Sequence, residues 1–222
     1  MVRPVFVLGA SRLALTFDDV ATDSSGYNNN GTVSGAVYTA GKINNGLSFD
    51  GLDDYVSVAD ASNLDLVDAF SVLAWINPTS YGEGSLGRII DKNNLGVTGY
   101  GFYIRGTAGG TDYYDLAVIF DGSFIGSGLN TFPSSYLSKW SHIAVAWDRT
   151  LASNQVKFYL NGNLIGQETR TTAITANALN LYVGNIEGGT RTFNGIIDEV
   201  YLYDRVLSQS EIQAIMNGAR VV

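Results

Sequence analysis

The chain has 222 residues, 26 glycines, 13 tyrosines, no cysteine and a formal net charge of −8. At this length a chain buries roughly 70–75% of its unfolded surface, so it needs no covalent staple, and the missing cysteines leave its redox compartment open. The acidic balance excludes the basic patch that nucleic acid or an anionic membrane would demand, and no stretch approaches the roughly 18–20 apolar residues of a membrane helix.

The opening "MVRPVFVLGAS" holds a short apolar run. It falls below the roughly 7–15 residues of a signal-peptide core, so no signal peptide is evident. Residues 1–11 are read as a first strand or an anchoring segment, ahead of a sandwich domain over 12–222. "RLALTF" (12–17) alternates apolar and polar, and "ATDSSGYNNNG" (21–31) is a polar loop. "GLSFDGLDDYVSV" (46–58) reads as strand, tight turn at Asp50-Gly51, strand. "FSVLAWINP" (70–78), "GRIIDK" (87–92), "YGFYIRG" (100–106) and "DLAVIFDG" (115–122) follow as strands. "WSHIAVAWD" (140–148) and "QVKFYLNG" (155–162) come next, with Asn161-Gly162 as a hairpin dipeptide. "LNLYVGN" (179–185) and "FNGIIDEVYLYD" (193–204) complete the set. One helix is expected, over 207–218: Ser208 and Glu211 form a capping box, Ile212, Ile215 and Met216 make one face, and Gly218 ends it. Many strands and one helix make an all-β protein of two packed sheets or a barrel.

These blocks, "FDD…DSSGYNNNGTV", "GLSFDGLDDYVSV", "FSVLAWINP", "WSHIAVAWD", "VKFYLNGNLIG", "LYVGN" and "FNGIIDEVYLYDRVLSQSEI", stand in an order that resembles the laminin-G-like, concanavalin A-like lectin/glucanase superfamily in its bacterial and phage form. The resemblance covers about residues 12–217. It implies a jelly-roll sandwich of two antiparallel sheets. It also implies a carbohydrate-binding or adhesion role, with polysaccharide-cleaving enzymes as a minority. Many members carry a structural calcium that joins the N-terminal segment to the last strand.

Alternation along the last strand puts Ile196, Asp198, Val200 and Leu202 on one face, so Asp198 sits in an apolar row. A carboxylate there must be hydrogen-bonded, reactive or metal-bound. Calcium takes six to eight hard oxygens, and Asp18, Asp19, Asp23, Asn28, Asn29 and Asn30 supply such an inventory. The resemblance aligns the family's aspartates with Asp18 and Asp198. The expected structural calcium site is therefore Asp18, Asp23, Asn30 and Asp198, completed by carbonyls from the Asn30-Gly31 loop or from around Gly41. The "DGLDDY" turn (50–55) is either structural or a second calcium site. His142 has no second histidine, cysteine or nucleophile motif beside it and is expected to be structural.

No Glu-x-Asp-x-x-Glu or Glu-x-Asp-x-Glu string occurs, so no catalytic residue is expected. Sugars bind aromatic faces with polar groups beside them. The segment 93–115 offers Tyr100, Tyr103, Arg105, Asp112, Tyr113 and Tyr114, and 122–136 adds exposed-looking Phe124 and Phe132. Two functions remain open: a lectin-like module on an extracellular surface or virion, or an interaction brick decorating such an assembly. The partner is a glycan or a neighbouring protein, not nucleic acid or a membrane, and an oligomer is compatible with either.

Overall fold

The computed structural model describes residues 5–6, 11–18, 20–93, 97–218 and 220–221. Its strands are β1 Val5–Phe6, β2 Leu13–Leu15, β3 Gly31–Ser34, β4 Val37–Ala40, β5 Asn45–Asp50, β6 Tyr55–Val58, β7 Ala69–Pro78, β8 Arg88–Asn93 and β9 Gly99–Ala108. They continue as β10 Thr111–Phe120, β11 Ser123–Gly126, β12 Ser141–Asp148, β13 Val156–Leu160, β14 Asn163–Glu168, β15 Leu181–Val183, β16 Asn194–Tyr203 and β17 Arg220–Val221, with the helix α1 Gln209–Met216 between the last two. One antiparallel sheet has seven strands in the order β11-β10-β9-β8-β15-β6-β3. The other has eight, following β14-β13-β12-β7-β16-β5-β4, with β2 pairing onto β16. The short β1 pairs in parallel with β17.

The two sheets close on one core because each strand turns alternate side chains inward. Phe70 and Val72 of β7 and Val145 and Trp147 of β12 meet Tyr100 and Phe102 of β9 and Phe120 of β10. Phe70 lies at its centre, 5.4 Å from the Tyr100 ring, 5.7 Å from Phe120 and 5.8 Å from Trp147. Each such buried side chain contributes about 1.5–3 kcal/mol of transfer free energy.

Helix α1 starts where the sequence places it. The Ser208 hydroxyl accepts the Glu211 N–H at 3.3 Å, and the Glu211 carboxylate accepts the Ser208 N–H at 2.8 Å. Ile212 and Ile215 then pack on Leu73, Ala144, Tyr201 and Tyr203, so the helix covers part of the eight-stranded sheet's outer face. No helix among the described residues is long and apolar enough to cross a membrane. The β13–β14 turn has Asn161 at φ 49° and Gly162 at φ 75°, the left-handed pair a two-residue hairpin needs.

The Asp50-Gly51 expectation is corrected. β5 and β6 do not pair; β5 lies in the eight-stranded sheet and β6 in the seven-stranded one. Leu47 and Phe49 face the core from one side, Val56 and Val58 from the other. The chain crosses between layers through a corner held by buried Asp54, whose carboxylate accepts the Asp50 N–H at 2.8 Å.

Candidate functional site: the last strand and the rim loops

Strand β16 does not alternate regularly. Ile197, Val200 and Leu202 all face the inter-sheet core, while Tyr201 and Tyr203 face α1. Two residues, Asp198 and Glu199, separate Ile197 from Val200 where alternation allows one, because Glu199 adopts φ 52° and the register with β7 shifts between Asp198 and Tyr201. This is a β-bulge. It corrects the reading of Asp198 as part of the Val200–Leu202 row. Asp198 projects from the outer face, paired in register with Trp75.

That outer face is closed over Asp198 by the loop between β4 and β5. Asp198 is 0% exposed. Its Oδ2 accepts the Ile43 N–H at 2.9 Å, and its Oδ1, also buried, has no hydrogen-bond partner among the described residues. A Cβ on Gly41 would stand 2.7 Å from Asp198 Oδ2 and 2.6 Å from the Asn45 carbonyl, so only glycine fits there. Burial pushes the Asp198 carboxyl up to about 7; the Ile43 N–H works against this and the nearby Glu199 charge adds to it. Half-buried Asp18 reaches the same loop. Its Oδ1 accepts the Asn44 amide at 3.0 Å, and its backbone carbonyl accepts from the Asn45 side chain. The fold thus brings Asp18, Asp198 and residues 41–45 together.

Asp23 and Asn30 are bonded within the loop after β2. Asp23 organises its own loop: Oδ1 accepts the N–H groups of Ala14 and Ser25, each at 2.9 Å. Its Oδ2 accepts the Ser25 hydroxyl at 2.6 Å and the Asn29 N–H at 2.9 Å. Four donors occupy the carboxylate and leave it no lone pair directed at an ion. Asn30 Oδ1 accepts the Asp23 N–H at 2.9 Å. The Gly31 N–H donates to the Ala21 carbonyl, and the Asn45 carbonyl stands near Gly41 and Asp198 Oδ2. Asp19 lies outside the described residues.

The expected ligand residues divide by strand face. Tyr100 is a core residue whose hydroxyl donates to the Leu64 carbonyl at 2.9 Å, and Tyr103 is 0% exposed beneath the Arg88 guanidinium, so neither ring is open to a ligand. Phe132, expected to be exposed, is buried, whereas Phe124 is exposed. Arg105 is anchored by two bonds to Asp115, at 2.8 and 2.7 Å, and lies 3.5 Å over the half-buried Tyr113 ring. Exposed Asp112 accepts the Thr107 hydroxyl at 2.5 Å, and Tyr114 packs against Tyr81. His142 is buried against Trp75, and that burial pushes its imidazole down to about 3.

Tyr55 and Tyr182, which the sequence reading passed over, stand on neighbouring strands of the seven-stranded sheet. Their rings meet edge to face at 5.6 Å and 69°. They line an open groove of about 520 Å³ with Ser34, Gly35, Asp53, Ile186, Gly188 and Gly189. Neither lies in a long aromatic-rich loop, and no spacing in the sequence joins positions so far apart. Beside the groove, Asp50, Asp53 and Asp54 bring carboxylate oxygens within 4.8 Å of one another, a cluster that could hold a metal ion.

A family model described as the concanavalin A-like lectin/glucanases superfamily matches residues 49–213. The chain belongs to that superfamily. Comparison with curated protein sequences gives no match. Among solved structures, domain 4 of AbnA, a GH43 extracellular arabinanase from Geobacillus stearothermophilus in complex with arabinotriose, superposes with a TM-score of 0.73 at 20% identity. The match covers 93% of this chain and 98% of that one. The binding domain of Paraclostridial Mosquitocidal Protein 1 gives 0.70 at 18% identity, over 94% of this chain and 52% of that one. The binding domain of botulinum neurotoxin DC, in complex with rat synaptotagmin II, gives 0.67 at 15% identity, over 97% and 53%. The chain therefore spans about half the length of the toxin domains it matches. At these identities the likeness is one of fold.

As a member of the lectin/glucanase superfamily, the chain invites a check of its carboxylates. Buried Asp91 and Asp115 are ion-paired to Arg88 at 2.9 Å and Arg105 at 2.7 Å. Burial pushes Asp91 up to about 7 against the pull of Arg88. Glu199 accepts the Tyr201 hydroxyl, and Glu211 serves the helix cap. Each is committed to a structural partner.

Proposed function

We propose that the chain is a non-catalytic, calcium-containing lectin-like module for carbohydrate binding or adhesion at an extracellular surface or virion. The observation that carries this reading is Asp198 Oδ1, a buried carboxylate oxygen without a hydrogen-bond donor. Such an atom costs several kcal/mol unless a proton neutralises it or a cation meets it, and its oxygen-rich surroundings favour the cation. Calcium prefers carboxylate and carbonyl oxygens in loose geometry, which is the donor set of Asp198, Asp18 and the carbonyls of residues 41–45. The residues fit the ion. Bound there, calcium would neutralise Asp198 and join the segment after β2 to the last strand.

Superfamily membership supports the carbohydrate half, as does the trisaccharide named with the arabinanase domain. Structural commitment of Asp91, Asp115, Glu199 and Glu211 supports a binding rather than a cleaving role. Arg105, Asp112, Tyr113 and Tyr114 remain the loop candidates. A glycan array run with calcium and with chelator tests the reading. Glycan binding that weakens in chelator is the expected result, and an array silent in calcium-containing buffer overturns it.

A second reading, an interaction brick in a surface or virion assembly, is favoured by edge strand β4, where Val37 is 64% exposed. Light scattering separates the two, because the brick requires a stable oligomer without glycan.

A further inference from the structure

We propose that the groove floored by Tyr55 and Tyr182 binds an uncharged oligosaccharide, an inference that rests on the carbohydrate-binding reading and gives it a place. The two tyrosines are on the outer face of the seven-stranded sheet. In β6 and β15, Val56, Val58, Leu181 and Val183 point into the core, and the alternate residues Tyr55 and Tyr182 point away from it. Both rings are half-buried. An edge-to-face pair presents the π-face of one ring alongside the rim of the other, a surface that suits the C–H face of a pyranose or furanose.

The walls are made of small and polar groups. Ser34 ends β3 and Gly35 follows it on one side, and Gly188 and Gly189 bound the other. The last two have φ of 86° and 67°, and a Cβ on Gly188 would meet nothing within 4 Å. Backbone can therefore approach a ligand without a side chain in the way. Exposed Asp53 enters the same groove. A carboxylate accepts two hydroxyl hydrogen bonds at once, which suits vicinal sugar hydroxyls. At about 520 Å³ the groove falls within the roughly 300–1,000 Å³ of small-ligand clefts.

Charge selects among glycans. Among the described residues, no lysine or arginine lines the groove. Asp50 and Asp54 stand beside Asp53, and Glu187 adjoins Gly188 closely enough to raise the Tyr182 hydroxyl's pKa, after the larger effect of burial. A uronate, sialate or sulfate group would meet this acidic rim with no cationic side chain in the lining to pair with it.

The test is calorimetric titration of the intact chain, in calcium-containing buffer, with arabinotriose, xylotriose, cellotriose and mannotriose. Trigalacturonate and sialyllactose are the charged probes. At least one neutral trisaccharide is expected to bind and the charged ones are not. Tyr182→Ala should weaken the bound neutral sugar about tenfold or more, since it removes the apolar ring face on which the sugar's C–H groups pack. Asp53→Asn, an exposed change that leaves the fold intact, should weaken it several-fold. Should Tyr182→Ala fail to fold, Tyr55→Ala and Asp53→Asn decide. Undiminished binding in these variants, with loss in Tyr113→Ala, would overturn the groove while leaving the carbohydrate reading standing. Tight binding of a charged probe would overturn the selectivity. Should none of the sugars bind the unmodified chain, groove and reading fall together.

Discussion

Asp198 Oδ2 accepts the Ile43 N–H at 2.9 Å, tying the last long strand to the loop between β4 and β5 across 155 positions of chain. Gly41 makes the approach possible, and the Glu199 bulge aims the carboxylate at it. One oxygen of Asp198 is thus satisfied by the fold and the other is not. The predictions on calcium and loop closure follow from that asymmetry.

Chelation should lower the melting temperature. A ligand held only by the native state stabilises by RT ln(1 + [L]/Kd), about 2.7 kcal/mol at a hundredfold excess over Kd. In a chain of this size that is roughly 5–10 °C. Asp198→Ala should melt lower and no longer respond to chelator. An identical melting curve before and after verified metal removal would falsify the calcium site.

Gly41→Ala probes the close approach. The added methyl would meet the Asn45 backbone and Asp198 Oδ2 well inside van der Waals contact. Overpacking of this kind costs about 1–3 kcal/mol, so calorimetry should show a clear drop in melting temperature. A variant as stable as the parent would mean the loop does not close on Asp198.

Asp23 separates loop organisation from metal binding. Asp23→Ala removes the acceptor for Ala14, Ser25 and Asn29. Each stranded donor costs about 1–3 kcal/mol if it stays buried. Destabilisation should be the same size with calcium and with chelator; a chelator response that disappears in Asp23→Ala would return Asp23 to the ion's shell.

His142 sets a pH dependence. Its folded pKa of about 3 lies below the unfolded value near 6.5, because burial disfavours the imidazolium. As pH falls through 6.5 the unfolded chain takes up a proton the native state refuses, so stability is lost from there toward pH 3. His142→Phe keeps an aromatic ring against Trp75 and lacks this loss. The melting temperature of the variant should gain on the parent steadily between pH 7 and 4; a gap that stays constant would show the histidine protonating in place.

Much of this was legible along the chain. Alternating apolar residues marked most strands. The Ser208–Glu211 box and Asn161-Gly162 fixed a helix start and a hairpin, since capping and left-handed turns are decided within a few residues. The ordered blocks pointed to the superfamily, and Asp18 and Asp198 each bond to the loop between β4 and β5. Other features were set at a distance. Asp50-Gly51 has a hairpin's local chemistry, yet the corner follows from which sheet each flanking strand joins. Asp23 and Asn30 have the composition of ligands, but the donors that occupy them come from the fold of their loop. Tyr100 belongs to the regular core row with Phe102 and Ile104, and its ring is closed off by the opposite sheet, which the composition of the 93–115 segment does not reveal. Tyr55 and Tyr182 became neighbours only through pairing of β6 with β15. The sequence by itself determined the periodic and short-range elements, because their energies are local. Tertiary structure decided which polar atoms were left without a partner and which aromatic faces stayed open. Both depend on what the rest of the chain brings against them.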